Sequence, residues 1–157
     1  MLTNNTKTIL GYLQKNARSS VSKIASETRI PVNTVLKKLT KFENENIIKK
    51  YTTLLNYSKL KYFVRVNFAV TAKDKQALLE HLKMHKNVNS LYLTKGDFDY
   101  YFETIFRDMA ELYNFIESLD DYGLKTIKEH HVIEDVVKEN FFVNDEPLIL
   151  YPDHMKR

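Results

Sequence analysis

KYFVRVNFAVT, residues 61–71, alternates along its length and decides how the rest of the chain is read. At a period of two, Tyr62, Val64, Val66, Phe68 and Val70 share one face, while Phe63, Arg65, Asn67 and Ala69 share the other. That is the pattern of a strand buried on one side. The residues before it repeat at three and four instead, so the change of period divides the chain into a helical part and a part that begins with a strand.

Beyond this strand, Asp74 stands where it can cap a helix carrying Leu78, Leu79 and Leu82. VNSLYLTK (88–95) and YYFETIFR (100–107) read as two strands separated by GDFD (96–99). Asp108 and Glu111 form a D-x-x-E capping box that opens a helix with Met109, Leu112, Ile116 and Leu119 inward. A last strand falls around TIKEHHVIEDVVK (126–138). The order strand, helix, strand, strand, helix, strand predicts a ferredoxin-like βαββαβ unit, an antiparallel four-stranded sheet with both helices on one face. Phe63 with Leu91, Leu93 or Tyr92 would lie on the uncovered face. Apolar residues on an open sheet predict pairing with a second copy, hence a homodimer.

Working backwards, Ile9, Leu10 and Leu13 mark one face of a first helix that Asn16 can stop in a left-handed conformation. Val21, Ile24 and Ala25 mark a short second helix capped by Ser20, with Ala25 small enough for a neighbouring helix to approach. A break at TRIP precedes a third helix, from about Pro31 to Glu45, on which Val35, Leu39 and Phe42 form the apolar stripe. Its other face carries Asn33, Thr34, Lys37, Lys38 and Lys41. Three short helices, the last two joined by a tight turn, predict a helix-turn-helix. Asn33 and Thr34 would then reach base edges of double-stranded DNA and the three lysines its phosphates. NIIKKYTTLLNYSKL (46–60) has the β-branched and aromatic content of a strand and connector. The expected division is therefore a DNA-binding domain at 1–50, a strand linker at 51–60 and a sheet domain at 61–157, an α+β architecture.

Charge follows the same division. Within the net +4, residues 1–60 hold eleven Lys/Arg against three acids, and residues 61–157 hold thirteen against seventeen. A basic segment on a separate unit suits a phosphate-backbone ligand, although lysine-rich faces are also often just solvated. With 157 residues, 43% hydrophobic and 28% charged, the chain can bury a core and form at most two small domains. The absence of cysteine removes disulfides, thiol catalysis and cysteine-ligated metals, and the five histidines lack an HExxH spacing. His130 and His131 point to opposite faces of a strand and so do not make a metal pair. No metal, cofactor or catalytic group is expected. No apolar run approaches a membrane span, and MLTNNTKTIL lacks the shape of a signal peptide, so a cytoplasmic protein with no membrane partner is expected.

The chain resembles the Lrp/AsnC, or feast/famine, transcriptional regulators over nearly its whole length. The resemblance lies in ILGYLQKNAR (9–18), in KIASETRIPVNTVLKKLTKFENENIIKKY (23–51), in LTKGDFDYYF (93–102) and in VIEDVVKEN (132–140). It implies a winged-helix-like DNA-binding head, a strand linker and an oligomeric sensor domain, as a dimer that assembles further into a tetramer or octamer. It also implies an amino acid or related metabolite as effector, bound at contacts between dimers near Gly96, Asp97 and Asp99, with His131 and Ile133 opposite. A carboxylate beside exposed turn amides can pair an α-ammonium while the amides take an α-carboxylate. Gly-Asp between two strands is also an ordinary hairpin turn. Asp97 is the stronger candidate for ligand contact, and Asp99, two residues on, for tying down the turn.

Four positions depart from the family pattern. Arg29 replaces a turn glycine, at a cost of about 1 kcal/mol if the residue is left-handed. Pro31-Val32 replaces Ser-Pro and removes a capping hydroxyl. Leu36 replaces a small polar residue, and Asn46 replaces a second glycine but tolerates a left-handed cap. Two other readings compete: an enzyme of related architecture such as a siroheme-type decarboxylase, and a sensor or dimerisation module without DNA binding. The first would need arginines gathered in a pocket, and apart from the terminal Arg157 the acidic half has only Arg65 and Arg107. The five polar or cationic residues of the third helix oppose the second.

Overall fold

Three helices, and then a four-stranded sheet with two more, make up residues 3–137, the residues described by the computed structural model. They fall into a helical unit that ends at Leu54 and a sheet unit from Leu55 to Asp135.

In the helical unit, α1 spans Asn4–Lys15, α2 Val21–Thr28 and α3 Val32–Asn44. Ile9 and Leu13 of α1, Ile24 and Ala25 of α2, and Val35, Leu39 and Phe42 of α3 are buried together. The apolar positions read at helical spacing are thus the ones that pack. Ile30 joins them from the turn, between two breakers where no periodicity could reveal it. Ser20 caps α2 by accepting the Lys23 amide. Arg29 is left-handed at φ 57°, and its amide, like that of Ile30, returns to the Ala25 carbonyl, so the turn keeps the conformation that favours glycine. Asn46 is left-handed at φ 54° and ends α3. Asn16 differs from expectation. It has φ −152°, and α1 ends in extended backbone with the Asn16 side chain accepting the Arg18 amide.

The segment read as a strand linker forms no strand. Residues 49–56 have no regular element, and Ser58–Leu60 is a single 3-10 turn closed by left-handed Lys61. Strand composition alone does not make a strand, because the backbone needs a ladder partner and none of the described residues supplies one.

In the sheet unit, β1 (Val64–Ala72) is central, β2 (Val88–Leu93) and β3 (Tyr100–Phe106) form a hairpin, and β4 (Leu124–His131) is an edge. Helix α4 spans Lys75–Met84 and α5 Met109–Ser118. The order is β2-β3-β1-β4, with every pairing antiparallel. Val66, Phe68 and Val70 of β1 face Thr104, Phe102 and Tyr100 of β3 across the ladder, and both helices close over this face. The Phe68 and Phe102 rings stack at 5.2 Å, and Phe115 of α5 sits 5.7 Å from Phe68 and 5.4 Å from Phe106. Burying rings of this size contributes about 1.5–3 kcal/mol each and fixes the helices on the sheet. Asp74 caps α4 through the Ala77 amide, and Asp108 caps α5 through the Glu111 amide. The reciprocal Glu111 bond reaches the Arg107 amide, one residue earlier than a standard capping box.

Four expectations are corrected here. Met109 is exposed and Phe115 takes its place inward, because the buried stripe of α5 runs through Leu112, Phe115 and Leu119. Phe63 precedes β1 and is exposed, outside the ladder. Leu91 pairs with Phe102 and packs on the helix-covered core, and Leu93, opposite Tyr100 on the same side of the ladder, is 80% exposed, leaving Tyr92 beside Tyr101 on the open face. The last strand stops at His131, so Ile133 and the following residues to 137 lie past it; residues 138–140 of the resembling segment lie outside the described residues.

Candidate functional site

The exposed side of α3 carries Asn33, Lys37 and Lys41, with Val32, Leu36 and Thr40 beside them. Burial of Val35, Leu39 and Phe42 on the opposite side sets this orientation. Lys37 makes no ion pair among the described residues, while Lys41 lies 3.6 Å from Glu45 in an exposed pair. Such a pair contributes little and leaves the lysine free to exchange partners. Thr34 is half-buried at the first turn. Lys38 turns towards α1 instead: its ammonium donates to Thr6 Oγ1 at 2.8 Å and Thr3 Oγ1 at 3.4 Å. One flank of the candidate surface is thereby pinned to the first helix. Sequence spacing alone could not separate Lys38 from Lys37, since the partner lies 32 residues away. Pro31 caps α3 without a side-chain bond, leaving the first turn open.

At the β2–β3 hairpin, Gly96 has φ 141°, a conformation that side-chain-bearing residues rarely adopt, although a Cβ there would meet nothing within 4 Å. Thr94 closes the turn by donating its amide to the Asp99 carbonyl and its hydroxyl to the Phe98 carbonyl. Asp99 is a tether. Its carboxylate accepts the Ala72 amide at 3.2 Å and the Lys75 ammonium at 2.5 Å, and its own amide donates to the Val70 carbonyl. The Lys75 contact holds the Asp99 carboxyl below its usual range; burial opposes this, and the Ala72 amide and the charges of Lys75 and Lys125 reinforce it. Asp97 is exposed and makes no hydrogen bond or ion pair among the described residues. Lys128, arriving from β4, lies 5.1 Å over the Phe98 ring and puts a cation beside the turn. Neither Lys75 nor Lys128 was legible as part of this site, because only the strand register brings them there.

His131 and Ile133 are elsewhere. His131 pairs with Val66, whereas the hairpin turn meets β1 at Val70 to Ala72. Four residues of strand separate these ends by about 13 Å. The structure thus groups Gly96, Asp97 and Asp99 and leaves His131, 3.8 Å from Glu129, and Ile133, 99% exposed, apart from them within one chain. A cleft of about 410 Å³ sits at the His131 end, lined by Tyr57, Leu60, Tyr62, Val88, Ile105 and Arg107 among others, and none of the five candidate residues lines it. On the open sheet face, Arg65 bonds Glu103 at 2.6 Å and Asp135 at 2.8 and 3.0 Å and lies over the Tyr57 ring. The described residues contain no group of three or more potential metal ligands. No helix among them is long and apolar enough to cross a membrane.

Comparison with known proteins agrees with this layout. Residues 61–140 match the Lrp/AsnC ligand binding domain, and residues 2–49 match a winged helix-turn-helix DNA-binding domain. The HTH-type transcriptional regulator LrpA of Pyrococcus horikoshii is 32% identical over 99 residues, 62% of this chain and 70% of that protein. An uncharacterized HTH-type transcriptional regulator of Pyrococcus abyssi is 27% identical over 143 residues, 90% of this chain and 97% of its own. Among solved structures, B. subtilis LrpC superposes with a TM-score of 0.81 at 19% identity, covering 87% of this chain and 98% of that one. A Neisseria meningitidis transcriptional regulator solved as its L-Met complex superposes with a TM-score of 0.79 at 18% identity, covering 98% and 99%. With its helix-turn-helix ahead of a four-stranded sheet domain, the chain belongs to the Lrp/AsnC family of transcriptional regulators.

Proposed function

We propose that this protein binds promoter DNA through the exposed face of α3 and that its sheet domain binds an amino acid or related small metabolite at the GDFD turn. The observation that carries the first part is the orientation of α3: Val35, Leu39 and Phe42 are buried, which turns Asn33, Lys37 and Lys41 outward together. Lys37 and Lys41 contact phosphates, Asn33 and Thr34 face base edges at the open first turn, and the uncapped amides there suit a phosphate oxygen. Lys38 braces α3 against α1 and adds positive charge at the flank.

For the sensor, Asp97 supports the reading because it is an unpaired carboxylate on a turn held rigid by Asp99. It pairs the α-ammonium of the effector, and the turn amides take its carboxylate. The L-Met complex of the Neisseria relative supports an amino acid as the class of ligand. Because His131 and Ile133 lie at the far end of their own sheet, they complete such a site only from another copy of the chain. That fits a homodimer, formed through the open sheet face, that assembles further. A bound effector then shifts assembly or the spacing of the DNA-binding heads. The decarboxylase reading is disfavoured, since Arg65 is committed to Glu103 and Asp135 and Arg107 lies over Tyr62.

The test is salt-dependent duplex binding by wild type and a Lys37→Ala/Lys41→Ala variant. Wild type should bind with a steep salt dependence, and the slope should fall by about one for each lysine removed. Negligible binding by both at every salt concentration would refute DNA binding and leave a sensor module. Thermal-shift screening of amino acids against wild type and Asp97→Ala tests the effector. A shift in wild type that Asp97→Ala loses is the expected result, and no shift with any amino acid would count against it.

A further inference from the structure

The face of α3 described above is not uniformly polar. Val32 and Leu36 are 48% and 51% exposed. They stand one turn apart and so form a single apolar ridge. At about 100° per residue, the order around the exposed arc is this ridge, then Thr40 and Asn33, then Lys37 and Lys41. A lone exposed leucine needs no explanation, but this pair is contiguous and stands at the edge of the exposed arc beside the buried stripe, with Lys37 and Lys41 at the other edge. The major groove offers one apolar group, the C5 methyl of thymine, and short apolar side chains on a recognition helix read it.

We infer that Val32 and Leu36 determine sequence specificity by packing on thymine methyl groups, so that each operator half-site carries thymines opposite this ridge. The inference rests on the DNA-binding reading and deepens it: phosphate contacts from Lys37 and Lys41 anchor α3 along one side, which lets the ridge at the other side of the arc lie in the groove, and the positions it touches become selective for A·T pairs in one orientation. A second copy of the chain is a poorer occupant. The neighbouring lysines would have to be desolvated against their own kind, whereas a duplex supplies the complementary charge.

The experiment begins by selecting duplexes from a random pool with the full-length protein. The most enriched sequence is then remade with deoxyuridine replacing each thymine in turn, which removes only the methyl group. Binding is measured for wild type, Leu36→Ser, Val32→Ser and, as a control, Lys37→Ala. In wild type, one or more deoxyuridine positions should lose about fourfold in affinity, the factor for one buried methylene-sized group. Leu36→Ser or Val32→Ser should abolish that loss at its own position, and Lys37→Ala should weaken all duplexes while keeping it. Both ridge positions are exposed, so the variants should fold, and circular dichroism checks this. No deoxyuridine effect at any thymine, or an effect unchanged in both ridge variants, overturns the inference while leaving DNA binding intact. An altered oligomeric state of Leu36→Ser with unchanged deoxyuridine sensitivity also overturns it, in favour of a second copy on the ridge. Failure of wild type to bind any duplex at low salt removes the DNA-binding reading itself.

Discussion

Replacing Asp99 with alanine separates holding the GDFD turn from binding a ligand. Its carboxylate accepts the Ala72 amide at 3.2 Å and the Lys75 ammonium at 2.5 Å, with the Asp99 side chain 18% exposed and that of Lys75 59% exposed. A hydrogen bond to a charged acceptor contributes about 1.5–3 kcal/mol. An ion pair with a solvated lysine adds no more than about 1 kcal/mol and is screened by salt. Discounting the exposed partner, Asp99→Ala should cost about 2 kcal/mol, and Asp99→Asn roughly half of that, since an amide oxygen still accepts from Ala72. The folded carboxyl titrates below its ordinary range, chiefly because of Lys75. Its contribution is therefore complete above the unfolded value of about 3.9 and disappears as pH falls through the lowered folded value. The gap between wild type and Asp99→Ala should be full at neutral pH and close on acidification. Urea unfolding followed by circular dichroism over that range reads both quantities. Unchanged stability of Asp99→Ala together with complete loss of an amino-acid-dependent thermal shift would refute the tether and make Asp99 itself a ligand contact.

Three further outcomes follow from the same physics. Phe115→Ala empties the space between Phe68, Phe102 and Phe106 and should lower the stability of the sheet unit by about 3–5 kcal/mol, against about 1 for Phe115→Leu, as measured by denaturant unfolding. His85 is held below the usual histidine range by burial, then by His81 and Lys86. The unfolded chain then binds the extra proton, so stability should fall as pH drops below about 6.5, and His85→Phe should flatten that slope in a pH series of unfolding curves. Arg29→Gly removes a left-handed strain of about 1–2 kcal/mol but adds about 0.5–1 kcal/mol of unfolded-chain entropy, for a net gain of roughly 0.5 kcal/mol in thermal or urea unfolding. A loss of stability would show that the Arg29 side chain contributes to the turn.

Much of the fold was legible because its signals are local. Alternation in 61–71 marked β1, Ser20, Asp74 and Asp108 marked helix starts, and the stripe Val35, Leu39, Phe42 oriented α3. The misreadings have other causes. The linker has the composition of a strand but no ladder partner among the described residues, Met109 sits at the very start of its helix and escapes the core, and Leu91 lies on the covered face because the register with Phe102 puts it there. The linker and Leu91 depend on neighbours distant in sequence, whereas the exposure of Met109 follows from its place in the first turn.

The candidate sites divide along the same line. Read by itself, the sequence determined a basic three-helix head with polar and cationic residues on its last helix, and a hairpin with Gly96, Asp97 and Asp99 at its tip, since periodicity, capping and turn chemistry act within a few residues. Only the tertiary structure decided that Lys38 is pinned to Thr6, that Asp99 is bound to Lys75 and Ala72, that Lys128 arrives beside Phe98, and that His131 lies at the opposite end of the sheet. These follow from the packing of α1 on α3 and from the register of β1 with β3 and β4, and pairing across such distances in the chain is set by the summed burial of whole faces, which no short stretch of sequence carries.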